Sequence, residues 1–218
     1  RYKKTPTVKI YPVTLTNLIG VYGNFERDSN GDGVADGIVV HSGTGSLIAS
    51  GVIGTYAQKV TGDGTKSYFG VRYNYIFVKE GWRYFAKAYS KLSTTTNATG
   101  HGFYYASAGG GITWIARNNT QITTSWGMKY ALFEGTTEGN ISLEVNGMFE
   151  DATSTTDVDI YVDGYCVYNL TNMGVLPLPL QELYEVETWA DLDADTLAQL
   201  LPYCDGVCSI GFAWESDV

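Results

Sequence analysis

The most distinctive chemistry in the sequence lies in a short acidic loop, DSNGDGVADG, which runs from Asp28 to Gly37. Oxygen-bearing side chains stand at alternate positions of this loop, and glycines let the chain wrap tightly between them. Such a loop closes around a hard cation of the size of calcium. The predicted ligands are four side chains and one main-chain carbonyl: Asp28, Asn30, Asp32, Asp36 and the carbonyl of Val34.

The acidic loop follows an EF-hand only in its first half. Val39 or Val40 stands where the bidentate glutamate of loop position twelve belongs. We therefore predict a compact calcium loop of another kind, in which the metal has a structural role. The alternative is a turn between strands, in which Asn, Asp and Gly supply the turn chemistry and the carboxylates are solvated.

Aromatic residues, which make up 14% of the chain, suggest a second kind of chemistry. Exposed aromatic rings can stack on the faces of sugar rings, while nearby amides and carboxylates bind the hydroxyl groups. The predicted glycan-binding residues flank loops rich in Gly and Asn: Tyr104, Tyr105, Trp114 and Trp126. For each of them the alternatives are burial in the core and a contact between subunits.

The sequence shows no clear spacing of catalytic side chains, so we predict that the chain is not an enzyme and has no catalytic residue. A glycosidase needs two carboxyl groups about 5 to 9.5 Å apart, and no spacing singles out such a pair. Glutamates such as Glu134 and Glu144 are expected on solvated faces. His41 and His101 have no Ser or Cys nucleophile in a recognisable elbow.

Charge and hydropathy exclude two classes of partner. The formal net charge of the 218-residue chain is −9, and a negative field repels nucleic-acid phosphates and anionic lipids. No apolar run approaches the roughly 20 residues that span a bilayer. We therefore expect neither nucleic-acid binding nor membrane insertion.

The elements that position these residues are predicted to be short strands. Segments rich in aromatic and β-branched residues alternate with Gly, Asn, Ser and Thr over about residues 22–149. In segment 82–89, Trp82, Tyr84, Ala86 and Ala88 fall on one face. A further strand at 158–170 is interrupted at residues 163–164 (DG), a hairpin-turn or bulge signal. This pattern predicts an all-β chain with the architecture of a jelly-roll β-sandwich.

Three parts follow one another along the chain. Residues 1–18 are basic at their start and contain two prolines, which favours an extended N-terminal arm that docks onto an acidic surface. Residues 19–171 form the predicted jelly-roll β-sandwich. Residues 172–218 form a C-terminal extension with one short helix inside 189–203, for which Asp193 is a natural N-cap.

Two stretches resemble carbohydrate-binding modules of the family 4/9 type. Residues 17–19 (NLI) and 23–26 (GNFE), followed by the acidic loop, are similar to the opening of those modules. Residues 81–93 (GWRYFAKAYSKLS) look like one of their internal strands. The resemblance implies a non-catalytic, carbohydrate-binding-module-like jelly roll.

A third stretch is similar to the C-terminal part of structural proteins of tailed bacteriophages. It comprises residues 159–163 (DIYVD), 168–171 (YNLT) and 195–207 (DTLAQLLPYCDGV). Residues 173–189, with their Pro-Leu repeats, depart from that pattern. The resemblance implies a virion structural protein.

The sequence as a whole predicts a non-catalytic virion structural protein on the virion surface, as a capsid decoration or tail-fibre component. Its calcium-stabilised β-sandwich would serve assembly and adhesion. The expected partners are other virion proteins, further copies of the chain in a homo-oligomer, and host-surface glycans. One alternative is a secreted or cell-surface glycan-binding module with an extracellular location. Another is a filament subunit assembled by strand exchange.

Overall fold

A computed structural model describes residues 8–10, 17–94, 97–119, 123–170 and 212–214 of the chain. The chain divides into two compact units. One unit is Asn17–Tyr168, and the other comprises Arg1–Thr16 and Asn169–Val218.

The described residues of the larger unit form ten strands. In chain order they are β2 (Val39–His41), β3 (Gly43–Ile48), β4 (Ala57–Gly62), β5 (Tyr68–Val78), β6 (Arg83–Leu92), β7 (Ala98–Ala108), β8 (Gly111–Arg117), β9 (Gly127–Thr137), β10 (Gly139–Phe149) and β11 (Asp159–Asn169). Two 3-10 turns, Gly20–Asn24 and Thr153–Thr155, complete its regular structure within the described residues.

These strands form two sheets packed face to face. The first sheet has four strands in the order β2-β5-β10-β7, and the second has six in the order β3-β4-β11-β6-β9-β8. Neighbouring strands pair antiparallel in the first sheet and, in the second, at β3-β4, β4-β11, β6-β9 and β9-β8. The prediction of an all-β jelly-roll β-sandwich is confirmed.

Alternation along the strands builds the core. On β10, Ile141, Leu143 and Val145 are fully buried and belong to the hydrophobic core. On β6, Tyr84 packs in the same core, and its ring stacks on that of Phe133 at 5.3 Å. Burying each such side chain contributes roughly 1.5–3 kcal/mol, which is enough to hold the register of a half-buried strand. The face predicted for segment 82–89 is therefore the core face.

The end of the predicted arm is joined to the sandwich. Leu18 donates its N–H to the carbonyl of Val167 on β11 at 2.7 Å. The side-chain oxygen of Asn17 accepts the N–H of Val167 at 3.0 Å. These two bonds place the last residues of the predicted arm beside a strand of the six-stranded sheet.

The smaller unit contains one described pair of strands. Strand β1 (Val8–Ile10) pairs antiparallel with β12 (Phe212–Trp214). A strand thus forms inside the predicted arm. The short helix predicted inside 189–203 lies outside the described residues and stays a prediction. The predicted domain boundaries also stay predictions. Among the described residues, no helix has the length and apolar character needed to cross a membrane.

Candidate functional site

Asp28 organises the acidic loop through its own carboxylate. One oxygen accepts the N–H groups of Gly31 and Asp32 at 2.8 and 3.2 Å, and the other accepts the N–H of Gly33 at 2.9 Å. Gly31 and Gly33 have φ angles of 73° and 83°, a conformation that glycine adopts without strain. The loop is therefore wrapped by local hydrogen bonds around one carboxylate.

The other predicted calcium ligands fall into two groups. Asn30 donates its side-chain amide to Asp32 at 2.9 Å, so these two residues lie together with Asp28. Asp36 accepts the N–H and the hydroxyl of Ser29 at 3.0 and 2.9 Å, and it pairs with Arg27 at 3.1 Å. The N–H of Ser29 is the main reason that the pKa of Asp36 lies below its usual range.

The donor chemistry of the loop suits calcium, which prefers carboxylate, amide and carbonyl oxygens. The described residues, however, contain no group of three or more His, Cys, Asp or Glu side chains arranged to hold a metal ion. The carboxylate of Asp36 is engaged by Ser29 and Arg27, and it would exchange these partners for the metal ion. Calcium binding by the acidic loop, including the Val34 carbonyl, stays a prediction.

Three of the four predicted glycan-binding aromatics come together at β7 and β8, where the two sheets meet at one edge. The rings of Tyr105 and Trp114 are 5.9 Å apart, edge to face. The guanidinium of Arg117 lies 4.8 Å from the Trp114 ring and 5.5 Å from the Tyr104 ring. Trp114 also packs edge-on against Phe133 at 5.7 Å, so part of it belongs to the core.

Trp126 belongs to a different group. Its ring lies 6.4 Å from that of Tyr161 on β11. The ammonium of Lys91 lies 4.9 Å from both rings. The structure therefore does not place Trp126 with the aromatics of β7 and β8. Trp126 instead pairs with Tyr161, and Lys91 contacts both rings.

A polar cluster that was not predicted from sequence lies on the four-stranded sheet. Because Ile141, Leu143 and Val145 point into the core, the alternate residues of β10 point to the opposite face. Register places Glu144 between Arg72 on β5 and Tyr104 on β7. Residues from four strands thus meet on this face; we call His41, Tyr68, Arg72, Tyr104, Glu144 and Asn146 the sheet-face cluster.

Glu144 is the centre of the sheet-face cluster. Its carboxylate pairs with Nη2 of Arg72 at 2.5 Å and with Nδ1 of His41 at 3.0 Å. Asn146 donates its side-chain amide to the same carboxylate at 3.2 Å. The ring of His41 packs edge-on against Tyr68 at 5.2 Å. The expectation that Glu144 lies on a solvated face is wrong, because its side chain is only 7% exposed.

Two polar atoms of the cluster are buried without a hydrogen-bond partner in the described structure: Nε of Arg72 and Oδ1 of Asn146. A buried polar atom without a partner costs free energy unless a ligand or water satisfies it. Burial also raises the pKa of Tyr104, which keeps its phenol protonated. The cluster thus offers a donor, an acceptor and a carboxylate beside two aromatic rings.

Sequence reasoning missed this cluster because none of its members has a distinctive local pattern. His41, Arg72 and Glu144 are separated by as many as 103 residues. The one signal in the sequence is the alternation ISLEVN at 141–146, which sets a charged side chain between apolar ones on a strand. Alternation predicts the face of Glu144 but not its partners, which depend on strand order.

No protein-family model matches the chain, and a search of curated proteins finds no match. Solved structures do resemble it. The arabinose-bound MgGH51 α-L-arabinofuranosidase has a TM-score of 0.53 at 16% identity, over 76% of this chain and 31% of that one. The CBM22-1 xylan-binding domain of Paenibacillus barcinonensis Xyn10C has a TM-score of 0.53 at 14% identity, over 73% of this chain and 98% of that one.

A structure described as CBM4 is also similar, with a TM-score of 0.45 at 16% identity, over 62% of this chain and 96% of that one. At these identities the likeness concerns the fold alone. The chain spans about a third of the length of the arabinofuranosidase but nearly all of the xylan-binding domain. The β-sandwich is therefore carbohydrate-binding-module-like, as the sequence resemblance implied, while the bacteriophage resemblance stays a prediction.

Proposed function

We propose that the β-sandwich is a non-catalytic glycan-binding module and that the sheet-face cluster contacts the sugar. One observation carries the proposal: this face holds a buried carboxylate, an arginine and an amide, and two of their polar atoms have no partner among the described residues. Sites with a few convergent polar groups beside aromatic rings are typical of ligand binding.

The chemistry of the cluster suits the hydroxyl groups of a neutral sugar. Both unpartnered atoms are closed to solvent in this structure, so a sugar reaches them when the side chains of the cluster shift. Nε of Arg72 then donates to a hydroxyl oxygen, and Oδ1 of Asn146 accepts a hydroxyl proton. The carboxylate of Glu144 is already engaged by Arg72 and His41, so it orients these donors as well as accepting a bond itself. The rings of Tyr68 and Tyr104 supply apolar surface for the sugar ring.

The likeness to a xylan-binding domain guides the choice of probe. Because that domain shares the fold of this chain, neutral plant polysaccharides such as xylan are the first ligands to test. The carboxylate at the centre disfavours acidic glycans, since like charges repel. We therefore propose a neutral polysaccharide as the ligand class.

We further propose that this module belongs to a phage particle, where it would reinforce the surface or adhere to host glycans. Its support is the resemblance of residues 159–163, 168–171 and 195–207 to phage structural proteins. A role in particle assembly does not require sugar binding, whereas adhesion does. A glycan-binding measurement therefore separates the two roles.

The test is a glycan array, followed by calorimetric titration of xylo-oligosaccharides into the wild type and Arg72→Lys. Lysine keeps the charge beside Glu144 but lacks Nε, so we expect affinity to fall about tenfold, the value of one hydrogen bond to a charged group. The matched control is Arg83→Lys on the other sheet, where Arg83 pairs with Glu134 at 3.1 Å. An array without bound glycans, or full affinity in Arg72→Lys, would overturn the proposal.

A further inference from the structure

An open pocket of about 610 Å³ lies beside the sheet-face cluster. It is bounded by the 3-10 turn Gly20–Asn24, the end of the acidic loop and strand β5. We call it the tyrosine pocket; its lining includes Tyr22, Arg27, Asp36, Tyr73, Asn74 and Tyr75. None of its tyrosines is among the residues predicted from sequence to bind glycans.

Tyr75 is held in an unusual conformation at the rim of the pocket. Its φ angle is 68°, and 74% of the residue is exposed. The pairing of β5 with β10 shifts at this point, between Ile141 and Leu143, which leaves Tyr75 in a β-bulge. A bulge redirects a side chain, and a left-handed conformation is costly for a bulky residue, so such a feature is typical of functional sites.

Tyr22 also lines the pocket. Its ring lies directly on the main chain of Gly37, because a Cβ on that glycine would come within 2.7 Å of the ring. Gly37 has a φ angle of 77°, so both its conformation and the space above it require glycine. Tyr73 lies nearby, and burial together with the Tyr22 phenol raises its pKa.

Polar groups complete the lining. Nε of Arg27 pairs with Asp36 at 3.1 Å, and 76% of the Arg27 side chain is exposed. The paired charges leave the pocket close to neutral, which favours an uncharged ligand. Asn74 accepts the hydroxyl of Ser142 at 2.7 Å, and Ser142 stands two residues before Glu144 on the same face of β10. This hydrogen bond links the lining of the pocket to the strand that carries Glu144.

We propose that the tyrosine pocket binds a further unit of the neutral glycan chain whose neighbouring units occupy the sheet-face cluster. This inference rests on the proposed function and adds that the ligand is an oligosaccharide rather than a single sugar. Tyr75 and Tyr22 contact the faces of the sugar ring, and Asn74 and Arg27 bind its hydroxyl groups. Affinity then rises with chain length until the pocket is filled.

The experiment titrates the protein with xylo-oligosaccharides of two to six units, measured by calorimetry and by shifts of backbone amide signals in NMR spectra. We expect Tyr75→Ala to weaken binding of the hexamer about tenfold and to leave binding of the dimer unchanged. The matched control is Phe77→Ala, since Phe77 is 50% exposed on the same strand but does not line the pocket. Both positions are exposed, so neither substitution is expected to prevent folding.

The two proposals fail in different ways. Shifts at Arg72 and Asn146 without shifts at Tyr22 and Tyr75, at every chain length, would overturn the pocket and keep the sheet-face site. Shifts confined to the pocket would support sugar binding there and contradict the sheet-face site. The absence of shifts in both regions would contradict both assignments. Equal hexamer affinity in Tyr75→Ala and the wild type would also overturn the pocket.

Discussion

The acidic loop and the sheet-face cluster are both groups of polar side chains, but they are built in opposite ways. In the acidic loop, Asp28 and Asp36 bind partners no more than nine residues away. In the sheet-face cluster, His41 and Glu144 are 103 residues apart and meet only because β2, β5 and β10 pair in one order. Spacing in the sequence reveals the first kind of site and conceals the second.

The two regions also differ in solvation. The carboxylates of the loop accept main-chain N–H groups near the surface. Glu144 is almost completely buried, and two atoms beside it have no partner in the part of the chain that the structure describes. Changing a buried, paired charge is costly because its partner loses both the bond and its hydration. We therefore expect the cluster to be more sensitive to substitution than the loop.

The largest effect is expected for Glu144→Ala. This substitution leaves Arg72 without its carboxylate, and we expect the free energy of unfolding to fall by about 3 kcal/mol. Urea denaturation measures the change. The double variant Arg72→Leu, Glu144→Leu removes both charges and should lose less stability than the single one. A loss below about 1 kcal/mol for Glu144→Ala would mean that the cluster is no more sensitive than an exposed ion pair.

The next effect concerns His101 and Asp163, two other buried polar groups. Burial, reinforced by the charge of Lys129, lowers the pKa of His101 to about 3. Its contribution to stability is complete above pH 6.5 and decreases as the pH falls towards 3. Burial and the charge of Glu26 raise the pKa of Asp163 to about 6, despite three main-chain N–H donors. Its contribution is complete below pH 3.8 and is lost as the pH rises through 6.

Between pH 4 and 6 these two groups therefore oppose each other, each by about 1.4 kcal/mol per pH unit. Relative to the wild type, Asp163→Asn should make stability rise more steeply with pH over this range. His101→Leu should have the opposite effect. Chemical denaturation at several pH values measures both slopes. Identical slopes in the three proteins would show that neither group carries the burial assigned to it.

The smallest effect is expected at the acidic loop. If the loop binds calcium, millimolar calcium should raise the melting temperature by about 3 °C, and Asp32→Asn should abolish the shift. Asp63→Asn is the matched control, because Asp63 bonds to Thr65 in an exposed turn elsewhere. A melting temperature that responds to neither calcium nor chelator would favour the plain turn.

Much of the fold could be predicted because alternation is a local signal. Periodicity predicted that Trp82, Tyr84, Ala86 and Ala88 share one face of segment 82–89, and the structure shows that this face packs in the core, with Tyr84, Ala86 and Ala88 buried. The DG signal at 163–164 was harder to interpret, since β11 runs through it as one strand. The Asp163 carboxylate there accepts the N–H groups of Val52 and Ile53, more than 100 residues away. No local rule predicts that contact.

The candidate site was less accessible to sequence reasoning. Tyr104, Tyr105 and Trp114 were each predicted to bind glycans, and the structure brings them together because β7 and β8 are joined by a short turn. Trp126 was grouped with them on composition alone, and it lies with Tyr161 and Lys91 instead. A ring beside a Gly-rich loop has no signature that distinguishes these two environments.

Local sequence patterns were enough to predict the strands, the residues that share a strand face and the acidic loop, since each depends on residues within about ten positions of one another. Which strands are neighbours depends on the tertiary structure. The contacts of Glu144 with Arg72 and His41 depend on it as well. The same holds for the position of Tyr75 at a bulge and for the pocket that Tyr75 and Tyr22 line together. Strand order and register arise from packing the whole core, to which every strand contributes. No short segment therefore contains enough information to predict them.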